Sequence, residues 1–276
     1  SRCQINWVYE DAFHNNRRLQ TIVLTGNLLM FLSDTAFAGP QSLRELVLTQ
    51  TGISTISFIP MTNLDMLDTL ILGSNHISSL QFPPNFPTKN LKHLDFQMNH
   101  IRVITAEDVS ILQKTSNMTL IFKGNDILHI EPGAFQSYFY SLDFGGCADI
   151  PGVLAGIRNS TTQTLWLGTF SDVEKKTDIT PGVLEGLCNI SVKDLYLQLR
   201  HFENLNAATF HCLTRLRKLD LTHTHISALP PGISGMSSLR ELVLSINSFQ
   251  HLCNVSSASF PSLTHLHIKG NLQALQ

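Results

Sequence analysis

His265 and His267 stand two residues apart, so a strand would present both imidazoles on one face, with His223 upstream as a candidate companion. Paired imidazoles are ordinary metal ligands, but a metal site needs further convergent donors, and the sequence brings none to them. Cys147 follows Gly145 and Gly146 and could act as a nucleophile, yet no base is fixed beside it. P-loop, G-x-G-x-x-G, H-E-x-x-H and G-x-S-x-G patterns are all missing. The chain therefore reads as a binding protein rather than an enzyme, with no catalytic residue, metal or cofactor assigned.

A second kind of chemistry is modification in the secretory pathway. Four N-x-S/T sequons occur, at Asn117, Asn159, Asn189 and Asn254. Asn159, Asn189 and Asn254 fall between strand-like runs. Asn117 falls where an apolar core residue is expected, so a glycan there demands a distorted strand.

The elements that position these residues follow from one recurring pattern. L-x-x-L-x-L-x-x-N-x-L closes on Asn27, Asn75, Asn99, Asn125, Asn247 and Asn271, on Cys3, Thr51, Cys147 and Thr224 by substitution, and irregularly on Phe170 and Arg200. A fixed period near 24 residues marks a leucine-rich-repeat solenoid of about 12 repeats over 1–276. The fold class is an α/β horseshoe, with a parallel sheet on its concave face and an irregular or 3-10 convex side. Within each repeat, apolar fourth and sixth positions point inward and alternate with outward residues, as Leu46 and Leu48 do with Glu45, Val47 and Thr49. The closing Asn amide can donate and accept at once, which satisfies backbone groups stranded by the turn that follows. Phe13, Phe37, Phe86, Phe135, Phe210 and Phe260 recur on the return side and fill the convex core.

Cys188 and Cys212 are 24 residues apart, each 12 residues before a closing position. They stack at matching points of adjacent coils, close to the separation of about 5.5–6 Å that a disulfide prefers. The pairing indicates an oxidising compartment. Cys3 and Cys147 read as ladder substitutes, and Cys253 as a shielded free thiol.

Closing positions step by 24 as far as Asn99, then by 26, 22, 23 and 30 before regularity returns at Thr224. A change of bend and twist is expected between about residues 110 and 215. Asp172 to Asp178 forms a charged loop there, read as solvated surface.

The outward residue between the two inward strand positions runs Val23, Val47, Ile71, Asp95, Ile121, Asp143, Trp166, Tyr196, Asp220, Val243 and His267. Aliphatics followed by two large aromatics suit an interaction surface better than a solvated sheet. Glu45, Val47, Ile71, Asp95, Gln97, Ile121, Lys123, Asp143, Trp166 and Tyr196 are the candidate partner contacts, with Gln50, His93 and Met98 flanking. The net charge of −2 and pI of about 6.6 argue against nucleic acid. No apolar run nears the ~18–20 residues that span a bilayer, and no signal-peptide pattern opens the chain. Both ends fall within a repeat and lack caps, which suggests a fragment of a longer ectodomain.

Arg2-Cys3-Gln4-Ile5-Asn6-Trp7, Thr25-Gly26-Asn27, Gln50-Thr51-Gly52-Ile53 and Leu72-Gly73-Ser74-Asn75-His76-Ile77-Ser78-Ser79 resemble the Toll-like receptor ectodomain family. Leu91-Lys92 to Gln97, Asn159-Ser160-Thr161-Thr162-Gln163 to Leu165-Trp166-Leu167-Gly168-Thr169-Phe170, and Phe260-Pro261-Ser262-Leu263-Thr264-His265-Leu266 narrow it to the branch near Toll-like receptor four. The resemblance implies the extracellular side of a type I membrane glycoprotein of immune cells. It implies as partner a small secreted lipid-binding accessory protein of the ML family, docked on the concave face in an assembly that can reach 2:2, and a role in endotoxin signalling. A different class stays open, an extracellular-matrix or adhesion solenoid that binds a protein or glycan directly.

Overall fold

Parallel strands stack in chain order because each coil of this computed structural model repeats the same inward-facing apolar pair. The structure describes residues 4–168, 182–199, 208–226, 233, 236–246 and 260–270. Eleven strands form one sheet: Thr21–Val23, Glu45–Val47, Thr69–Ile71, His93–Asp95, Met118–Ile121, Tyr138–Gly145, Thr161–Gly168, Ser191–Gln198, Lys218–Ile226, Glu241–Ile246 and His265–Gly270. Inward residues such as Leu46, Leu70, Leu94, Leu120, Leu142, Leu165, Leu195, Leu219 and Leu242 are fully buried, whereas Leu266 and Ile268 of the last strand are exposed. The opposite side carries short 3-10 and α-helical turns such as Ile56–Phe58, Ser110–Lys114, Ile150–Gly156 and Glu185–Asn189. The architecture is a leucine-rich-repeat solenoid with an irregular, partly 3-10 convex side. Phe37, Phe86, Phe135, Phe210 and Phe260 are buried there, and Phe13 packs against them part-buried.

The asparagine ladder joins coils through buried backbone groups at the turn that follows each strand. Asn75 Oδ1 accepts from the amides of Thr51 (2.9 Å) and Ile53 (3.2 Å), while its Nδ2 donates to the carbonyls of Leu48 and Leu72. Asn99 repeats this between Ile77, Leu72 and Phe96, and Asn125 between Ile101, Phe96 and Phe122. At Thr51 the hydroxyl donates to the Leu48 carbonyl, and the Leu29 amide donates to the Thr51 backbone carbonyl rather than to a side-chain oxygen. Cys147 copies the amide weakly: its Sγ lies 3.3 Å from the Asn125 carbonyl and 4.0 Å from that of Phe122. The turn itself depends on the residue before the ladder position. Gly26, Gln50, Ser74, Met98, Gly124 and Gly146 all have φ between 55° and 81°, a left-handed conformation natural to glycine and costly for the other three.

Strands of three residues lengthen to eight at Tyr138–Gly145, Thr161–Gly168 and Ser191–Gln198, the coils where the Asn ladder is broken. Cys188 and Cys212 are joined there, with Cα atoms 5.2 Å apart. Cys3, Phe170, Arg200, Asn247, Cys253, Asn254, Asn271 and the charged loop lie outside the described residues. So do the side chains of His223 and Thr224.

Candidate functional site: the concave column

Register pairing lines up the outward column coil by coil. Val23 pairs with Val47, Val47 with Ile71, Ile71 with Asp95, Asp95 with Ile121, and Ile121 with Asp143. Asp143 pairs with Trp166, and Tyr196, Asp220, Val243 and His267 follow in turn. A single stripe thus crosses all eleven strands. Parallel in-register strands bring equivalent side chains to roughly 4.8 Å spacing, so large neighbours on this face must stack.

Trp166 and Tyr196 do so, with ring centroids 3.8 Å apart and planes within 8°. Lys218 Nζ sits 5.0 Å from the centre of the Tyr196 ring and 3.8 Å from Glu241 Oε1. His267 Nε2 lies 3.6 Å from the same carboxylate oxygen. Contact with Tyr196, then the charges of Glu241 and Asp220, hold the Lys218 ammonium above the usual lysine range against its desolvation. The stack, the cation and the carboxylate form one continuous surface from Trp166 to His267. Ion pairs this open to solvent on a half-buried face add little stability, so their value lies in what they present.

The acids of the column have structural work as well. Asp95 accepts from the Gln97 amide at 2.8 Å, Asp143 from the Gly145 amide at 2.9 Å, and Asp220 from the Thr222 amide at 2.9 Å. Burial pushes both Asp95 and Asp143 above the ordinary carboxylate range. Their backbone hydrogen bonds pull the other way, as does His93 for Asp95 and Lys123 for Asp143. Asp95, taken above as a partner contact, is 5% exposed, so its carboxylate is committed to Gln97 rather than to the surface. Val243 is buried too. Trp166 and Lys123 are exposed, and Glu45, Val47, Ile71, Gln97, Ile121, Asp143 and Tyr196 are partly so.

Asn117 departs from the sequence expectation. It is exposed with φ of 53°, and Met118 is fully buried in the core slot that the pattern gave to Asn117. Asparagine tolerates this left-handed conformation better than most residues. The consequence is one residue fewer between the first and second core positions of that coil. The neighbouring strand absorbs the deficit as a register shift between Phe139 and Ser141, which leaves Tyr140 without a partner in Met118–Ile121. Asn159 and Asn189 are exposed as well, just ahead of their strands, and the Asn159 amide donates to the Asn189 carbonyl. The expectation also missed an exposed apolar group on the lateral edge, where Trp7 packs against Phe31 at 5.7 Å and Tyr9 at 6.4 Å. Exposed aromatics outside the outward column were its only signal.

Catalytic and metal readings gain nothing from the geometry. Burial pushes the Cys147 thiol up to about 12, which suits a packed hydrogen-bond donor and not a nucleophile. The His265 and His267 rings stack at 6.4 Å, and among the described residues no three His, Cys, Asp or Glu side chains could share a metal. No described helix is long and apolar enough to cross a membrane.

Comparison with known proteins adds the family. The leucine rich repeat family matches residues 17–77 and 214–272. CD180 antigen of Mus musculus is 52% identical over 277 residues, covering 100% of this chain and 42% of that protein. Toll-like receptor 4 of Bos taurus is 28% identical over 211 residues, covering 66% of this chain and 25% of that protein. Among solved structures, the mouse RP105/MD-1 complex superposes with a TM-score of 0.90 at 51% identity, over 98% of this chain and 45% of that one. The chain thus spans less than half the length of each of these relatives.

Proposed function

The chain belongs to the Toll-like receptor family of leucine-rich-repeat proteins, and from that premise we propose that its concave face seats a small accessory protein. The partner is a secreted, lipid-binding ML-family protein of the MD-1 kind, since the similar mouse receptor RP105 was solved in complex with MD-1. The observation that carries the reading is the Trp166–Tyr196 stack in the in-register outward stripe, with Lys218 beside it. Large, rigid aromatics flanked by polar groups supply binding energy at low entropic cost. The chain acts by holding this partner and performs no chemistry. The assembly faces the outside of the plasma membrane of immune cells, can pair as two receptors with two accessory proteins, and regulates endotoxin-type signalling.

Exposure of Asn117, Asn159 and Asn189 supports N-glycosylation at these sequons, and Asn254 is assigned with them from its sequence alone. The Cys188–Cys212 bridge fits the same oxidising compartment. The test of the whole reading is coexpression with an MD-1-type accessory protein in secreting cells, followed by sizing. A stable complex supports it. Two separate monomers at micromolar concentration would count decisively against it. The adhesion alternative predicts a direct glycan or matrix ligand bound without the accessory protein.

A further inference from the structure

We propose that Tyr138 and Tyr140 form an aromatic platform on which the core sugars of the glycans at Asn117 and Asn159 lie. The inference rests on the glycosylation reading above and goes beyond it. Both rings stand open at the strand-entry rim of the sheet, 46% and 56% exposed. Asn117 and Tyr138 immediately precede the paired residues Met118 and Phe139, so they face each other across adjacent coils. On the other side Tyr138 pairs with Thr161, the hydroxyl residue of the Asn159 sequon. Tyr140 is the unpaired residue of the bulge, turned out between the same two coils.

Tyr138 is therefore about one coil spacing, roughly 4.8 Å, from a sequon-bearing turn on either side, and Tyr140 follows two residues further along the same strand. The left-handed backbone at Asn117 and Asn159, φ of 53° and 65°, lifts both side chains clear of the core. An N-acetylglucosamine ring has an apolar C–H face, and an aromatic ring offers it a negative π-surface. A folded protein partner would have to pass between two glycans to reach this strip. The glycans themselves start beside it.

The experiment uses the full chain secreted from glycosylating cells. Glycopeptide mass spectrometry first establishes occupancy, and Tm is then compared for Tyr138→Ser/Tyr140→Ser with and without Asn117→Gln/Asn159→Gln. The tyrosine pair is expected to cost about 2 °C more in the glycosylated protein than in the Gln background. Native peptide-N-glycosidase should release the Asn117 and Asn159 glycans several-fold faster once the rings are gone. Release at Asn189, one coil further away, should not change, and Tyr→Phe should behave as the parent because the ring face is retained. Equal Tm losses in both backgrounds, with unchanged release rates, would overturn the platform and leave the sequon assignment standing. Empty Asn117 and Asn159 would overturn both. Weaker accessory-protein binding by the Ser pair in the Gln background would assign the strip to that protein and overturn the proposal.

Discussion

The indole of Trp166 lies parallel to the phenol ring of Tyr196, 3.8 Å between centroids, because the two residues are register partners on neighbouring parallel strands. Neither ring can turn without opening the stack, so the pair presents a fixed face. Preorganised aromatics of this kind bind at a smaller entropic cost than free side chains. The stripe around them has its stability supplied from behind, by the ladder, the turns and the staple, and each of those supports can be tested separately.

The ladder is the largest of the supports. Asn99→Ala would strand the Ile77 amide inside the solenoid and remove one of two side-chain donors from each of the Leu72 and Phe96 carbonyls, which Asn75 and Asn125 still serve. Buried unsatisfied groups of this kind cost about 1–3 kcal/mol each, partly relieved by relaxation. A loss of about 2 kcal/mol is expected in denaturant unfolding, with Cys147→Ala losing clearly less because the thiol bonds are weaker.

Gly124 tests the turn. Its φ is 77°, and a Cβ there would come within 2.2 Å of Met98 Sδ. Gly124→Ala should cost about 1–2 kcal/mol through backbone strain and displacement of the Met98 side chain. Met98→Gly, at the equivalent left-handed position one coil earlier, should be neutral or stabilising in the same assay.

Asp95 gives a pH prediction with a definite sign. Burial raises its folded-state pKa above the unfolded value, so the native state binds its proton more tightly. The ionised carboxylate therefore handicaps the fold at neutral pH, and the handicap fades as pH falls through the folded pKa. Asp95→Asn keeps an oxygen for the Gln97 amide. It should raise Tm at pH 7, and the gain should fade as pH falls through the folded pKa and vanish by about pH 3, where the parent carboxyl is mostly neutral in both states.

The Cys188–Cys212 bridge spans 24 residues. Replacing both cysteines with Ser should cost about 3 kcal/mol by chain entropy, measured as a shift in denaturant midpoint. The Trp166–Tyr196 face lies on strands next to the staple, so partner binding should weaken mainly through lost stability.

Much of this was legible because solenoid periodicity converts spacing directly into neighbourhood. The outward column from Val23 to His267 and the juxtaposition of Cys188 with Cys212 follow from counting residues. What counting misses is local slippage. Pattern alignment put Asn117 in the core, whereas the longer step to Asn125 let a left-handed residue hand that slot to Met118 and push Tyr140 into a bulge. Asp95 escaped for a different reason: sequence gives the face a side chain leaves from, and hydrogen bonding to Gln97 decides whether it stays exposed. The left-handed column was hinted at by Gly26, Gly124 and Gly146 but hidden by Gln50, Ser74 and Met98.

The central claim is that the stripe around Trp166 seats the accessory protein. The most direct measurement is the affinity of the glycosylated chain for an MD-1-type protein, compared with Trp166→Ala and Ile71→Asp variants whose Tm is checked in parallel. The account predicts that Trp166→Ala loses about 30-fold in Kd, as a hot-spot residue worth about 2 kcal/mol would, with Ile71→Asp also weakened and Tm little changed for either. Parent-like affinity in both variants would contradict it.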